Sequence, residues 1–517
     1  MIEKRIKTKY IVDKKSYIVA VDIGSSEVVV AVGSLAEGGV MNIEAVAAEH
    51  TDGMAAGLVD NSQMVADALR RARISAEQQA GIAITEAYVA ISGKFVRCAR
   101  YTDHVFVEDA ENCISSRDLA ALSERMRNVK ASDGEIIMDF FPLCYKSDTG
   151  TEMKNPVGCY SKQLSSTYNF ILCEHMAKDR LRRVFLDAGI KMRELYAGAA
   201  IVGESVVNSE EKEEGVAVID IGSGVTDVAI YYGGVLCYIA SIPMGGSALN
   251  ADIRVYDGYI PPRIVENLKK QLGSAVVDLT PDEMIQMRSR SRSIKPISRL
   301  NLAAVIEARM TDIAEYAWGE IKEAGYAKKL GAGIVLTGGV AELMNVGELF
   351  HRVTGQEVRT ACAEVGITTE SLEKVSSPNL ALAVSILLRG AQVGPNRVGV
   401  YIPTTPAAKS EEPKAETAKI EEAPKPEPKP EPKPEPKREE PKPEPKPEPK
   451  PEPKREEPKR RDDWDDEDDD DDVDIDDGDN DIAEKKGWFG RFFSRAKNSF
   501  SDAFKDPNED IDEDERW

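Results

Sequence analysis

The chain has 517 residues, of which 42% are hydrophobic, and a formal net charge of −23. Much of the acidity lies in residues 462–481, which contain 15 carboxylates, whereas residues 1–400 carry nearly all of the apolar packing material. Because such an acidic chain is repelled by phosphate backbones, the charge argues against general nucleic-acid binding.

Residues 1–15 form a basic N-terminal segment without the apolar core of a secretory signal. No stretch of the sequence approaches the roughly 18 consecutive apolar residues that a membrane-spanning helix needs. The cysteines show no CxxC spacing, which favours reduced thiols over a zinc site or a disulfide framework. We therefore expect a cytoplasmic protein.

Two segments about 200 residues apart share one layout. In YIVAVDIGSSEVVVAVGSL, two apolar strands flank a tight turn that begins at Asp22, and GVAVIDIGSGVTDVAIYYGG repeats strand, turn and strand around Asp220. Between residues 16 and 389, short β-branched runs alternate with helical periods, a pattern typical of α/β proteins. The repeated layout predicts a duplicated, two-lobed α/β fold.

Composition and pattern divide the remaining chain into segments. Residues 85–167 contain strands, polar loops and one helix between the two repeats, so they are expected to form an inserted subdomain. The other predicted boundaries are 16–84, 168–200 and 376–392 for lobe I, 201–251 and 326–375 for the inner part of lobe II, and 252–325 for its outer part.

After residue 392 the chain changes character. Residues 393–484 contain KPEP repeats followed by the acidic run. Neither part can bury enough apolar surface to fold, and the repeats favour an extended, polyproline-like spacer. Residues 485–505 contain bulky aromatic residues at helical spacing. Residues 506–517 are again rich in acidic residues. We expect a disordered linker that leads to one amphipathic helix.

On a helical wheel, the apolar residues of 485–505 fall within an arc of roughly 160° and the basic residues take the other side. The residues assigned to membrane contact are Trp488, Phe489, Phe492, Phe493, Phe500, Phe504, Arg491 and Arg495. Such a helix suits the headgroup region of an anionic membrane, where each basic residue contributes on the order of 1 kcal/mol. The alternative is that the same face docks on a folded partner or on the chain's own domain.

Small residues at both repeated turns allow the backbone to approach a polyphosphate closely. The predicted contacts are Asp22, Gly24, Ser25 and Ser26 in the first turn, Asp220, Gly222, Ser223, Gly224, Thr226 and Asp227 in the second, and Gly338 and Gly339 in GAGIVLTGGVAEL. Asp22 and Asp220 are expected to hold Mg²⁺ through water. One Asp-Gly turn alone is more often a simple hairpin, but three glycine elements in this order predict a site for a nucleoside triphosphate.

These motifs resemble those of a known superfamily. DIGSSEV is similar to the first phosphate loop of the actin superfamily, DIGSGVTD to its second, and LTGGVAEL to its adenosine motif. The resemblance implies ATP as ligand and an actin-like, ribonuclease H-like duplicated ATPase fold. Within the superfamily, the insertion after AGIAITEAYVAISG and the segment SRLNLAAVIEARMTDI resemble the FtsA family of bacterial cell-division proteins, over residues 16–392.

The FtsA resemblance adds further contacts. It implies nucleotide contacts from Gly245 and Gly246 in IPMGGSALNADI, and ribose and base contacts from Glu266, Lys269 and Ser274 in IVENLKKQLGSA. The alternative for Glu266 and Lys269 is a solvated helix face. No residue is identified as a catalytic base, so hydrolysis is expected to be slow or absent.

The same resemblance implies a function. FtsA proteins self-associate into filaments, bind FtsZ and hold it at the cytoplasmic face of the cell membrane, where later division proteins are recruited. The FtsZ surface is expected within residues 252–325. The long spacer and the acidic runs beside the terminal helix depart from the family. The alternatives are a pilus-assembly adaptor ATPase and a small-molecule kinase of the same superfamily.

Overall fold

The computed structural model describes residues 15–256, 260–285 and 296–400. Residues 401–484 of the expected linker, the terminal amphipathic helix and the acidic C-terminus lie outside the described residues, as does nearly all of the basic N-terminal segment. Residues 393–400, which were also expected in the disordered linker, are described and end in strand Val398–Val400. The described part contains two five-stranded sheets and one four-stranded sheet, with helices packed around them. It is the α/β architecture that the sequence predicts.

The first five-stranded sheet belongs to lobe I. Its strands, in spatial order, are Lys191–Ala197, Glu86–Ile91, Tyr17–Ile23, Glu27–Leu35 and Met41–His50. The first three strands are parallel and the last three are joined antiparallel, so the third belongs to both groups. Strand Tyr17–Ile23 is buried along most of its length because elements cover both faces of the sheet, which explains its nearly uninterrupted apolar run.

The second five-stranded sheet repeats this topology in lobe II. Its strands, in spatial order, are Val235–Ile242, Thr226–Tyr232, Val216–Ile221, Ile334–Thr337 and Val358–Thr360. Three antiparallel strands are again followed by two parallel ones. Alternate residues of Val216–Ile221 enter two different hydrophobic cores, as the period of two in a strand requires. The duplication predicted from the repeated motif is therefore confirmed.

The insertion forms the four-stranded sheet. Its strands, in spatial order, are Glu152–Met153, Glu135–Lys146, Gln163–Glu174 and Val96–Phe106, and helix Ser116–Arg127 packs on them. Strand Glu86–Ile91, which was expected inside the insertion, belongs to the first five-stranded sheet. Every one of its residues is buried, as in a central strand, whereas Val96–Phe106 alternates between buried or partly buried and exposed residues along most of its length. The inserted sheet thus spans residues 96–174 rather than 85–167.

The other elements are short strands and helices. The strands are Met54–Ala55, Leu58–Val59, Ile82–Ile84, Met284–Ile285, Ile297–Ser298 and Val398–Val400. The α-helices are Ser62–Ala80, His175–Ala188, Gly198–Ile201, Gly203–Val206, Ser209–Glu214, Gly246–Val255, Pro262–Leu272, Arg299–Glu323, Val346–Thr354 and Ala381–Val393, and the 3₁₀ turns are Gly339–Glu342, Thr369–Val375 and Pro378–Leu380. Within the described ranges, no helix has both the length and the apolar character needed to span a bilayer.

Lobe I is completed by the last described segment of the chain. Helix Ala381–Val393 is almost wholly buried over its first seven residues and packs on strand Tyr17–Ile23. Beyond it, the Asn396 side chain accepts a hydrogen bond from the Val19 amide at 2.8 Å and donates one to the Glu86 carbonyl at 3.3 Å. Sequence-distant residues therefore close the first sheet.

The same helix connects lobe I to the insertion. Nη2 of Arg389 lies 3.1 Å from Oδ2 of Asp139, which is on an insertion strand. Nη1 of Arg389 lies 3.4 Å from Oε1 of Glu204, in helix Gly203–Val206. Burial raises the pKa of Glu204, and the Arg389 guanidinium acts against that rise. One guanidinium therefore joins the insertion to the helices between the lobes.

Candidate functional site

The two repeated turns open onto one cavity between the lobes, with a volume of about 770 Å³. The sequence-predicted residues that line it are Asp22, Gly24, Ser25, Ser26, Asp220, Gly222, Ser223, Gly224, Asp227, Gly246, Glu266, Lys269, Gly338 and Gly339. Residues that are far apart in the sequence thus line the same cavity. A cavity of this size accommodates a nucleotide-sized ligand.

The two turns are built alike. The Gly24 amide donates to the Glu27 carbonyl at 2.9 Å, and the Gly222 amide donates to the Val225 carbonyl at the same distance. In each case this bond closes the turn that joins two antiparallel strands. The equal geometry follows from the equal position of the turn in the two sheets.

The turns also meet across the cavity. A Cβ atom added to Gly224 would lie 2.4 Å from Oγ of Ser25. The Ser25 hydroxyl in turn accepts a hydrogen bond from the Gly57 amide at 3.2 Å. Glycine at position 224 is therefore what allows the second turn to approach the first so closely.

Three carboxylates converge at the base of the turns. Burial, together with the charges of Asp227 and Glu27, raises the pKa of Asp22 to about 7. Burial and the neighbouring Asp227 and Asp22 raise the pKa of Asp220 well above its ordinary value. The pKa of Asp227 rises to about 6 through burial, although the hydroxyl of Ser241 donates to it. Such mutual repulsion favours a cation between these groups.

The third glycine element lies against the second turn. Gly338 has a φ of +83°, and its amide donates to the Pro378 carbonyl at 3.2 Å. Gly339 opens a 3₁₀ turn rather than an α-helix. Both glycines line the cavity, so ligand atoms can approach this backbone closely.

Glu266 and Lys269 reach the cavity from helix Pro262–Leu272. Nζ of Lys269 lies 2.9 Å from Oε2 of Glu266, and the Lys269 side chain is only 11% exposed. Burial lowers the pKa of Lys269, against the attraction of Glu266. The alternative of a fully solvated helix face does not describe Lys269.

Three predicted residues do not line the cavity. The hydroxyl of Thr226 is buried and donates to the Met244 carbonyl at 2.8 Å. A Cβ atom at Gly245 would lie 2.3 Å from the Gly222 carbonyl oxygen, so this glycine lets two backbone segments pack together. Oγ of Ser274 donates to the Val276 carbonyl at 3.0 Å and accepts from Nδ2 of Asn345 at 2.9 Å. All three support the shape of the site.

Two asparagines were missed by sequence reasoning. In the part of the chain that the structure describes, the Oδ1 atoms of Asn250 and Asn379 are buried without a hydrogen-bond partner, and both residues line the cavity. Unpartnered acceptors of this kind fit a polar ligand with donor groups. Asn250 follows Gly246 by four residues in helix Gly246–Val255, so the two share a helix face, and this spacing was a usable signal. Nothing in the sequence around Asn379 indicates its position.

The carboxylates do not form a cage of direct metal ligands. Among the residues that the structure describes, no group of three or more His, Cys, Asp and Glu side chains is arranged to hold a metal ion. A divalent cation near Asp22 and Asp220 would therefore be held largely through water and ligand oxygens, the mode that Mg²⁺ commonly adopts with phosphates.

Two sheets of one topology, each ending in an Asp-x-Gly turn at a shared cavity, define an actin-like protein. The family model described as "Cell division protein FtsA" matches residues 217–385. The cell division protein FtsA of Escherichia coli strain K12 is 30% identical over 388 residues, which cover 73% of this chain and 91% of the relative. The FtsA of Bacillus subtilis strain 168 is 26% identical over 390 residues, which cover 74% of this chain and 86% of the relative. The chain belongs to the FtsA family of cell-division proteins.

Solved structures also match. The PilM-PilN type IV pilus biogenesis complex shares 14% identity at a TM-score of 0.49, covering 72% of this chain and 98% of that chain. The family assignment rests on the sequence relatives. It favours a cell-division protein over the pilus-adaptor and kinase alternatives.

Proposed function

We propose that this protein binds ATP with Mg²⁺ in the cavity between its lobes. The observation that supports this proposal is the contact between the two Asp-x-Gly turns, which face one polar cavity from opposite sheets. Backbone amides at such turns suit phosphate oxygens because glycine and serine leave the backbone accessible. The unpartnered Oδ1 atoms of Asn250 and Asn379 offer acceptors for the nucleoside.

Different residues of the chain would contact the phosphates and the hydrated cation. Ser25, Ser26 and Ser223 would offer hydroxyls to the phosphates, and Asp22 and Asp220 would orient water around the cation. Bound Mg²⁺ would offset the charge of the carboxylates and phosphates. Because both lobes contribute, a bound nucleotide would favour the closed arrangement of the turns.

Calorimetric titration of the full chain with ATP and Mg²⁺ tests this proposal. We expect saturable binding, and a loss of at least about tenfold in affinity for Asp220→Asn, since the variant lacks a carboxylate that organises the cation. The matched control is Asp133→Asn, which changes an exposed aspartate in the insertion and should bind as the unmodified protein does. Absence of saturable binding, or equal affinity for Asp220→Asn, contradicts the proposal.

We further propose that the protein holds FtsZ filaments at the cytoplasmic face of the cell membrane at the division site, self-associates, and recruits later division proteins. This proposal rests on membership of the FtsA family and on the amphipathic pattern of residues 485–505. The test is sedimentation of FtsZ filaments with anionic vesicles. Filaments should co-sediment with vesicles only when this protein is present, and recovery that does not depend on it would refute the tether.

A further inference from the structure

The cavity is unusually acidic for a polyphosphate site. Its lining contains the carboxylates of Asp22, Glu27, Asp52, Asp220, Asp227, Glu266 and Glu342, but only two ammonium groups, those of Lys269 and Lys270. Both lysines pair with the same carboxylate, that of Glu266. The Nζ atoms of Lys269 and Lys270 lie 2.9 and 3.5 Å from its oxygens. Within the described residues, no lysine or arginine forms an ion pair with the carboxylates beside the two turns.

Glu27 is a carboxylate among these that neither the fold nor the proposed cation site uses. It is the first residue of the strand after the first turn, and only its backbone carbonyl takes part in closing that turn. Within the described ranges, its partly exposed carboxylate forms no ion pair and no hydrogen bond. Its neighbour on the adjacent strand is His50, whose Nε2 lies 3.1 Å from Oδ1 of Asp52.

The charge of Glu27 is felt inside the cavity. It contributes to the raised pKa of Asp22, after burial and the charge of Asp227. Glu27 therefore adds negative potential where the first turn presents its amides. The Glu27 carboxylate holds no structural contact among the described residues. Replacing it by a neutral side chain would therefore remove mainly this negative electrostatic potential.

We propose that Glu27 makes nucleotide binding conditional on a divalent cation, by repelling a polyphosphate that arrives without one. This inference rests on the proposed ATP binding. A metal-free triphosphate brings several negative charges to a cavity wall on which, among the described residues, carboxylates outnumber ammonium groups, whereas a magnesium-bound triphosphate brings fewer. The repulsion between Glu27 and the ligand is therefore larger for the metal-free form.

The test compares the affinity for ATP in excess Mg²⁺ and in excess EDTA, by titration calorimetry at low ionic strength. For Glu27→Gln we expect the affinity in EDTA to rise about tenfold, which is the scale of one charge interaction across a partly solvated cavity. The affinity in Mg²⁺ should change by less than about threefold. The gain in EDTA should shrink as salt is added, because the interaction is screened.

Glu37→Gln is the matched control, since it removes the same charge from an exposed residue in the turn beyond the other end of strand Glu27–Leu35. Its affinities should equal those of the unmodified protein in both solutions. Thermal melting of each variant establishes that it is folded.

The outcomes separate the inference from the proposed function. If Glu27→Gln binds no better in EDTA, or gains equally in Mg²⁺ and EDTA, the role of Glu27 is refuted while ATP binding stands. If the unmodified protein binds ATP equally well in EDTA, the conditional binding is refuted. If it binds ATP in neither solution, the proposed function fails, and the inference fails with it.

Discussion

A Cβ atom at Gly338 would lie 2.2 Å from Oδ1 of Asp220. The glycine of the third element and the aspartate of the second turn are thus in direct contact. Position 338 therefore has no room for a side chain. Gly338 also has a φ of +83°, which L-residues rarely adopt. Position 338 therefore determines where the Asp220 carboxylate sits.

We predict that Gly338→Ala lowers the free energy of unfolding by about 2–4 kcal/mol, since the new methyl group meets the carboxylate and the backbone conformation becomes strained. Urea denaturation measures this change. ATP affinity should fall as well, because Asp220 must move.

Gly355→Ala is the control for backbone strain. Gly355 has a φ of +67°, but a Cβ atom there would have no neighbour within 4 Å. Its substitution should therefore cost only about 1 kcal/mol. Equal costs for the two variants would mean that the contact with Asp220 has no energetic consequence.

The raised pKa of Asp22 predicts a pH-dependent stability. Its pKa rises from 3.8 to about 7, with burial as the first cause. Between these two values the unfolded chain has released the proton while the folded protein keeps it, so the ligand-free protein loses stability as the pH rises through this window. Asp22→Asn removes the titrating group.

Without ligand, Asp22→Asn should therefore melt at a higher temperature than the unmodified protein at pH 8. The difference should shrink as the pH is lowered towards 5. Differential scanning calorimetry at several pH values measures both trends. A variant that is less stable at pH 8, or a difference independent of pH, would show that the buried, ionised Asp22 carboxylate does not destabilise the folded protein.

The Arg389 bridge predicts a larger effect for loss of the guanidinium than for loss of its exposed partner Asp139. Arg389→Ala leaves the Glu204 carboxylate, whose side chain is 20% exposed, without its guanidinium partner. We expect a loss of about 1–2 kcal/mol in the free energy of unfolding. Asp139→Ala should cost less than about 1 kcal/mol, because the Asp139 side chain is 49% exposed and its ion pair is well solvated. Urea denaturation that ranks the two variants in the opposite order would contradict this account.

The terminal segment predicts lipid binding that is separable from ATP binding. Phe492→Glu places a charge in the aromatic face of residues 485–505, so we expect flotation with anionic liposomes to be lost while ATP affinity is retained. A chain that ends before Lys485 should behave in the same way, and Ser494→Glu is a matched control on the polar side. Flotation of Phe492→Glu would contradict the anchor assignment.

The turns were predictable from sequence because they are local. The Asp-x-Gly turn follows an apolar strand in both repeats, so each turn is visible in its own segment, although its role as a phosphate site was predicted only from the pair together with the third glycine element. Ser274 illustrates the opposite case. Its hydroxyl contacts Val276 and Asn345 rather than the cavity, and Asn345 lies 71 residues further along the chain.

The start of the insertion was misplaced for a related reason. The run AYVAI is apolar at every position, as in strands buried on both faces, whereas the strand after it alternates in exposure. The change of pattern marks the boundary, but only the pairing with Tyr17–Ile23 and Lys191–Ala197 assigns Glu86–Ile91 to lobe I. Pairing between sequence-distant strands is not encoded in a local pattern.

The return of Asn396 and helix Ala381–Val393 to the first sheet has a consequence for biosynthesis. The Val19 amide and the Glu86 carbonyl have their partner at residue 396, so the N-terminal sheet stays incomplete until nearly 400 residues have left the ribosome. During that interval, the surface of the sheet that will receive the helix is open to water. Nascent chains of this protein should therefore present an apolar surface to chaperones for most of their synthesis.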